Sequence, residues 1–309
     1  DRQIQVGRPD VKGREAILHV HAKNKPLDET VDLKAISQRT PGFSGADLEN
    51  LLNEASLIAA REGKNKIDMR DIEEATDRVI AGPAKKSRVI SDKERNIVAH
   101  HEAGHTVIGM VLDEAEVVHK VTIVPRGQAG GYAMMLPKQD RFLMTEPELL
   151  DKICGLLGGR VSEDINFHEV STGASNDFER ATKMARAMVT KYGMSERLGV
   201  MVYEDENQNG FFGNVGSRTI SDATQQKVDE EVRRILDQQY KVARDILENN
   251  QDIAHAMVKA LMEWETIDRD QIRDIMEGRE PQPPKVYVAD NPVIDVTPTD
   301  GPSTPPPLP

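Results

Sequence analysis

Residues 99–107 read AHHEAGHTV, and this short stretch limits what the chain can fold into more than any other. On a helix, His101 and His105 project from the same face one turn apart, so their imidazoles can reach one metal ion. Glu102 lies about 100° round the helix and can reach a water molecule at the open position of that metal. The spacing therefore predicts a helix that binds zinc through two histidines, with Glu102 as the general base.

The residues around this motif predict that the helix is buried. They are apolar on both sides of the motif, namely Ile97, Val98, Val107, Ile108 and Val111, and polar groups inside a core need partners. Gly104 costs roughly 1 kcal/mol relative to alanine in a helix, and a close neighbour or a ligand would explain its presence. His100 lies about 100° from His101 and is expected beside the site or at the surface. The alternative interpretation is a core helix whose histidines are satisfied by nearby carboxylates.

A catalytic zinc site needs a third protein ligand, and residue spacing leaves its identity open. One common pattern places a glycine three positions after the second histidine and a third histidine three positions further on, but this chain has Ile108 and Val111 there. Cys154 lies in an apolar helical stretch, where cysteine usually serves as a small hydrophobic residue. The candidates that remain on chemistry alone are two histidines and three acidic residues: His119, His168, Glu163, Asp164 and Asp177.

Composition and periodicity divide the chain into three regions. Residues 1–82 carry successive helical patterns separated by turn signals, and Ser44 with Asp47 three positions later resembles a capping box. Residues 83–280 contain the histidine helix, two short strands at VVHKVTIVPRG and GGYAMMLP, and helices at about 146–166, 176–192, 221–249 and 251–277. Residues 281–309 are rich in proline and are expected to be disordered. The predicted fold class is mainly α with a small β-sheet.

The composition excludes some functions. The net charge of −12 is spread along the chain, which argues against nucleic acid as a partner. Cys154 is the single cysteine, so an internal disulfide is excluded and a reducing compartment is expected. No apolar run is long enough to span a bilayer, so this stretch of chain is expected to be soluble. The sequence begins without methionine and is expected to be the C-terminal part of a longer protein whose membrane anchor lies upstream.

Ordered motifs across residues 1–275 resemble the FtsH family of ATP-dependent zinc metalloproteases. They are DRQI, REAILHVHAKNKPL and TPGFSGADLENLLNEAS in the first region, then HHEAGHTV, VTIVPRG, GGYAMMLP, LLGGRVSEDI, STGASNDFERAT and MVTKYGMSERLG. The resemblance implies that Asp177, in the TGASND segment, is the third zinc ligand beside His101 and His105. Judged from the residues alone, Asp177 is also a candidate helix N-cap without a metal role.

The chain departs from the family after the GGR motif. It reads SEDINFHEV, with His168 at a position where the family commonly has glycine. His168 is expected to be a loop residue. Glu163 or Asp164 is expected to orient a zinc-binding histidine.

In the first region the resemblance implies the helical lid subdomain of an AAA ATPase module. His21, Gly45 and Ala46 would then lie near the nucleotide. The residues that bind the phosphates and Mg²⁺ of ATP would precede Asp1, so this stretch alone is not expected to hydrolyse ATP.

The resemblance further implies a zinc endopeptidase that degrades unfolded and membrane proteins processively, as a homohexameric ring at the cytoplasmic side of a bacterial inner membrane. The present stretch is itself expected to form hexamers. The segment GGYAMMLP is expected to be an exposed edge strand to which an extended substrate adds, and the alternative is an ordinary half-buried strand. The alternatives are a non-proteolytic ring scaffold or chaperone, and a different metallohydrolase that acts on small amides or esters.

Overall fold

The structure is a computed structural model that describes residues 7–85, 90–112, 117–127, 129–136, 143–169, 171–203 and 221–284. Within these ranges the fold is mainly α-helical with one small β-sheet, which confirms the predicted fold class. Most of the linker AKKSR and the tail from residue 285 onward lie outside the described residues, so the expectation that the tail is disordered stays a prediction. The domain bounds at residues 82 and 280 also stay predictions.

A bundle of four helices forms the described part of the first region: α1 (Val11–Ala22), α2 (Leu33–Arg39), α3 (Gly45–Arg61) and α4 (Met69–Ala81). An aspartate or a serine caps each N-terminus, because its side-chain oxygen accepts from amides that have no partner within the helix. Ser44 and Asp47 form the predicted capping box at the start of α3. Apolar side chains from all four helices, with Leu18, Leu51 and Ile72 almost fully buried, make a separate core.

The histidine motif lies on α5 (Asp92–Val111), a helix that is buried through its middle and C-terminal half. The long helix α6 (Glu146–Phe167) crosses α5 at close range. A Cβ built on Gly104 of α5 would lie only 2.4 Å from the carbonyl oxygen of Gly158 on α6. The close neighbour expected from Gly104 is therefore the backbone of α6.

A three-stranded antiparallel sheet packs against α5. Its central strand is β1 (Val117–Thr122), which pairs with β2 (Tyr132–Leu136) on one side and with β3 (Thr266–Asp268) on the other. Val118, Val121 and Ile267 are buried in the core that the sheet shares with α5. In the described sheet β2 is an edge strand, as predicted for GGYAMMLP, although its residues are half-buried or buried, and the addition of substrate to this edge stays a prediction.

The remaining helices complete the second region: α7 (Ser175–Thr190), α8 (Asp222–Asn249), α9 (Gln251–Trp264) and α10 (Arg269–Met276). The prediction of one continuous helix over residues 251–277 was wrong. Glu265 takes the left-handed conformation with φ 61° and ends α9, so the next three residues can pair with β1 as β3. Asp268 then caps α10. None of the helices in the described residues is long and apolar enough to cross a membrane.

Buried ion pairs join the first region to the sheet. Arg126, which lies between β1 and β2, donates from both terminal nitrogens to the carboxylate of Glu74 on α4, at 2.7 and 3.3 Å. The same guanidinium lies 3.4 Å from Asp77, which also binds Lys120 of β1. These contacts fix the last helix of the bundle against the strands that lie beside the histidine helix.

Candidate metal centre

The structure brings the two predicted imidazoles together. Ser91 is the N-cap of helix α5, and its hydroxyl accepts from the amide of Glu94. His101 and His105 project from the same face of this helix, and their rings contact edge to face with centroids 4.7 Å apart. Their Nε2 atoms are 3.1 Å apart. Both side chains therefore point at one small volume.

Asp177 completes a triangle with these two histidines. It lies in the first turn of α7, and its Oδ2 is 3.4 Å from Nε2 of His101 and 3.6 Å from Nε2 of His105. Ala174 is the N-cap of α7, so the alternative role of Asp177 as a helix cap was wrong. Across the described ranges, these three side chains are the one group of histidine, cysteine and acidic residues placed to hold a metal ion.

The triangle has the dimensions of a tetrahedral zinc site. Ligand atoms that lie 2.0–2.1 Å from a zinc ion in a tetrahedron are about 3.3 Å from one another, and the separations here are 3.1, 3.4 and 3.6 Å. Nδ1 of His101 donates to Glu163 and Nδ1 of His105 donates to the Gly155 carbonyl, so Nε2 of each neutral ring carries a lone pair. Two lone pairs at 3.1 Å repel unless a proton or a cation lies between them. The residues fit zinc.

Glu163, and not Asp164, orients a histidine of this triangle. Oε1 of Glu163 accepts from Nδ1 of His101 at 2.8 Å, and the carboxylate is buried. Asp164 follows on α6 but points to α8, where it binds Arg244 and Tyr240. A carboxylate behind a metal-binding imidazole sets its tautomer and its orientation.

Gly159 on α6 lies directly beneath the ring of His101. A Cβ built on Gly159 would be 2.4 to 2.6 Å from Cε1, Nε2 and Nδ1 of that ring, much closer than real Cβ contacts. Reasoning from the sequence did not identify this residue. Its one signal was the pair of adjacent glycines within a helical stretch, since helix interiors disfavour glycine.

The charges around the triangle favour a bound cation. Desolvation lowers the pKa of His101, but its hydrogen bonds to Asp177 and Glu163 outweigh that effect and raise the pKa to about 10. Burial works against the charge of Asp177, yet its contacts with His101 and His105 hold the pKa of this carboxyl well below its usual value. In the metal-free chain a proton on His101 offsets part of the negative charge of Asp177 and Glu163, and a metal ion would take its place.

Glu102 is buried and lies outside the triangle. Burial raises the pKa of its carboxyl, against the opposing effect of His105 and His101. The start of β2 lies close by, because a Cβ built on Gly131 would be 3.0 Å from Oε1 of Glu102. A carboxyl group whose pKa is raised towards neutrality is suited to accept a proton from water.

The other residues considered from the sequence do not join the triangle. His100 is buried beside the site and donates from Nδ1 to the Asn96 carbonyl at 2.9 Å, so the surface position is excluded. Cys154 is a core residue, and burial raises the pKa of its thiol to about 12. His168 follows the last residue of α6 in the left-handed conformation, with φ 52°, and His119 lies on β1.

The residues predicted to lie near a nucleotide are on adjoining parts of α1 and α3. Nδ1 of His21 is 3.9 Å from Oε1 of Glu49, and a Cβ built on Gly45 would be 4.0 Å from Cδ1 of Ile17. Ala46 follows in the first turn of α3. The contact of these residues with a nucleotide stays a prediction.

Two family models match the chain. Peptidase family M41 matches residues 88–275, which include all the residues of the triangle, and the AAA+ lid domain matches residues 30–74. The second match lies within the bundle of α1 to α4.

Several curated relatives are similar over most of the chain, and each is named ATP-dependent zinc metalloprotease FtsH. The relative from Staphylococcus haemolyticus is 76% identical over 278 residues, which are 89% of this chain and 38% of the relative. The relative from Bacillus subtilis is 63% identical over 281 residues, 90% of this chain and 44% of the relative. The relative from Cupriavidus metallidurans is 53% identical over 285 residues. The chain therefore spans about two fifths of the length of these relatives.

Proposed function

The chain belongs to peptidase family M41, and on that premise we propose that it carries the proteolytic site of an ATP-dependent zinc endopeptidase. In this proposal His101, His105 and Asp177 bind zinc, and Glu102 is the general base. The observation that carries the proposal is the triangle of ligand atoms 3.1 to 3.6 Å apart, with Nδ1 of both histidines already hydrogen bonded. The name shared by the relatives, zinc metalloprotease, supports it.

A zinc ion held by these three ligands would act as a Lewis acid that lowers the pKa of a bound water molecule and polarises the carbonyl group of the substrate. Glu102 accepts the proton of the attacking water and then donates it to the leaving amine of the peptide bond. Glu163 and the Gly155 carbonyl hold Nδ1–H of His101 and His105, so that both Nε2 atoms face the metal position. Glu102 therefore transfers the proton, while Glu163 and the Gly155 carbonyl orient the two histidines.

An extended polypeptide is the substrate that the geometry favours. In the described sheet β2 pairs with β1 on one side only, so another strand can add to its other edge. Gly131, the residue before β2, lies against Glu102, so a chain added at this edge would pass beside the general base. Backbone pairing does not select particular side chains, which suits unfolded proteins and extracted membrane proteins of varied sequence.

The bundle of α1 to α4 supports the ATP-dependent part of the proposal. The match to the AAA+ lid domain and the name of the relatives support a module that uses ATP with Mg²⁺ to deliver substrate processively to the zinc site. His21, Gly45 and Ala46 would lie near that nucleotide. The working assembly in this proposal is a homohexamer, anchored on the cytoplasmic side of a bacterial inner membrane.

Zinc content and casein cleavage test the proposal together. After dialysis against a mild chelator, the parent chain should retain about one zinc ion per chain and cleave unfolded casein. Glu102→Gln should retain zinc but cleave more slowly by about 10²- to 10⁴-fold, and Asp177→Ala should lose most of its zinc. Asp164→Asn is the matched control, because Asp164 points to α8, and it should resemble the parent.

Each contrary result identifies a different error. Unchanged cleavage by Glu102→Gln would contradict the mechanism, and zinc retained by Asp177→Ala would place the third ligand elsewhere. Zinc binding by the parent without any cleavage would favour a scaffold or chaperone. Hydrolysis of small amides or esters with casein left intact would favour a different metallohydrolase.

A further inference from the structure

We propose that Ser171 is a positioning residue of the metal centre, which fixes the carboxylate behind His101 and the start of the helix that carries Asp177. Ser171 lies in the connection between α6 and α7. The inference rests on the zinc site of the proposed function and adds a residue that contacts none of the three ligand atoms.

Ser171 provides two of the hydrogen bonds that the carboxylate of Glu163 accepts. Its amide donates to Oε2 at 2.9 Å, and its hydroxyl donates to Oε1 at 2.9 Å. Oε1 is the same oxygen that accepts from Nδ1 of His101 at 2.8 Å. The side chain of Glu163 is only 2% exposed, so it depends on protein donors in place of water. Together with burial, these bonds set the direction in which Glu163 faces the imidazole.

The backbone of Ser171 also anchors the approach to α7. Its carbonyl accepts from Nη2 of Arg160 at 2.7 Å, and the guanidinium of Arg160 stacks 5.0 Å from the ring centroid of Phe178. Phe178 directly follows Asp177 in the first turn of α7. The hydroxyl of Ser171 accepts from the amide of Gly173 at 3.1 Å, which tightens the same connection.

One residue thus links two ligands that come from different helices. On one side it reaches His101 of α5 through Glu163, and on the other it reaches Asp177 of α7 through Arg160 and Phe178. A shift of the connection would move both ligands relative to His105. The triangle of 3.1, 3.4 and 3.6 Å therefore depends on Ser171 as well as on the ligands themselves.

Removal of the hydroxyl separates this role from the backbone contacts. Ser171→Ala keeps the amide bond to Oε2 and the carbonyl bond to Arg160, but it leaves Oε1 of Glu163 with His101 as its remaining hydrogen-bond donor. Loss of a direct hydrogen-bond partner of a metal-binding histidine weakens metal binding by about 10- to 100-fold, and the hydroxyl of Ser171, one contact further from the metal, should account for the lower end of that range. Ser171→Thr restores the hydroxyl and should recover most of the affinity. Ser175→Ala is the matched control, since Ser175 is exposed at the first position of α7.

The experiment measures the zinc dissociation constant of the whole chain by competition with a chromophoric chelator, together with thermal unfolding of each metal-free variant. The inference is supported if Ser171→Ala binds zinc at least about 10-fold more weakly than Ser175→Ala, while the two metal-free variants unfold at similar temperatures and Ser171→Thr resembles the parent. Unchanged affinity in Ser171→Ala would overturn it. A loss of affinity that Ser171→Thr fails to rescue, or that merely follows a loss of folded protein, would also overturn it.

Asp177→Ala in the same titration distinguishes this failure from failure of the proposed function. If Asp177→Ala loses zinc and Ser171→Ala does not, the three-ligand site stands and the role of Ser171 is wrong. If Asp177→Ala binds zinc as tightly as the parent, the proposed zinc site itself is wrong.

Discussion

A single methyl group added at Gly159 should remove zinc from the site while leaving the fold intact. The Cβ of Gly159→Ala would lie 2.4 Å from Cε1 and 2.5 Å from Nε2 of His101, whereas ordinary van der Waals contact begins at 3.4 Å. The imidazole would have to move by about 1 Å to reach ordinary contact. Zinc–nitrogen distances tolerate only about 0.2 Å, so Nε2 of His101 would leave the metal position.

The expected effects on stability and on zinc binding differ in size. Overpacking destabilises a core by about 1–3 kcal/mol, and the change from glycine to alanine inside a helix stabilises the helix by about 1 kcal/mol. The metal-free variant should therefore be destabilised by about 0–2 kcal/mol. Zinc affinity should fall by about 100-fold or more, because a direct ligand is displaced and not merely a supporting contact.

Gly155→Ala is the control for this prediction, because a Cβ built on Gly155, one turn earlier on α6, meets nothing within 4 Å. This variant should be stabilised by about 1 kcal/mol and should retain zinc, since the carbonyl that accepts from Nδ1 of His105 remains in place. Chelator competition gives the zinc affinity, and chemical denaturation gives the free energy of unfolding. Zinc affinity of Gly159→Ala within a few-fold of the parent would refute the reasoning.

Three further predictions concern the charges in the structure. Zinc binding at pH 8 should release about one proton, because the pKa of His101 is raised to about 10 in the metal-free chain, and calorimetry in two buffers of different ionisation enthalpy measures that release. Because the pKa of His101 is raised in the folded state, its charge stabilises the metal-free fold fully below about pH 6.5. This contribution is lost as the pH rises towards 10, so the unfolding temperature of the metal-free chain should fall over that range. An unfolding temperature that does not change with pH would contradict the raised pKa. Arg126→Ala should destabilise the chain by about 1–3 kcal/mol, because Glu74 loses a buried bidentate partner. The control Arg39→Ala removes an exposed ion pair and should cost less than about 1 kcal/mol. Equal losses of unfolding free energy in urea denaturation would show that the buried pair stabilises the chain no more than the exposed one.

The helices were largely predictable because their signals are local. Ser44 and Asp47 mark the start of α3 by a spacing of three, and the structure shows the capping box there. The break between α9 and α10 had no such signal. Glu265 adopts a left-handed conformation without being glycine, and Thr266–Asp268 becomes a strand because β1 offers it a partner from a distant part of the chain. Pairing of that kind depends on tertiary context, which periodicity does not report.

The metal centre was predictable only in the part that lies on one helix. His101 and His105 follow from a spacing of four, but Asp177 comes from another helix, and Asp164 has the same chemistry. Glu163 and Asp164 are neighbours in sequence, yet they point about 100° apart on α6, one towards His101 and the other towards Arg244. Only the relative placement of α5, α6 and α7 separates these carboxylates, so the choice of Asp177 before the structure rested on family resemblance.

The glycines explain why that placement is so close. Gly104 and Gly158 are each unfavourable inside a helix by roughly 1 kcal/mol relative to alanine, but a Cβ on Gly104 would lie 2.4 Å from the Gly158 carbonyl and a Cβ on Gly158 would lie 2.9 Å from the Gly104 carbonyl. Their absence of side chains lets α6 lie against α5 so that Gly159 passes under the ring of His101 and Glu163 reaches its Nδ1. The two glycines therefore lower helix propensity but allow the close approach that positions the imidazole of His101. A methyl group at Gly104 or Gly158 should act on zinc binding by separating the helices, and one at Gly159 by displacing the ring itself.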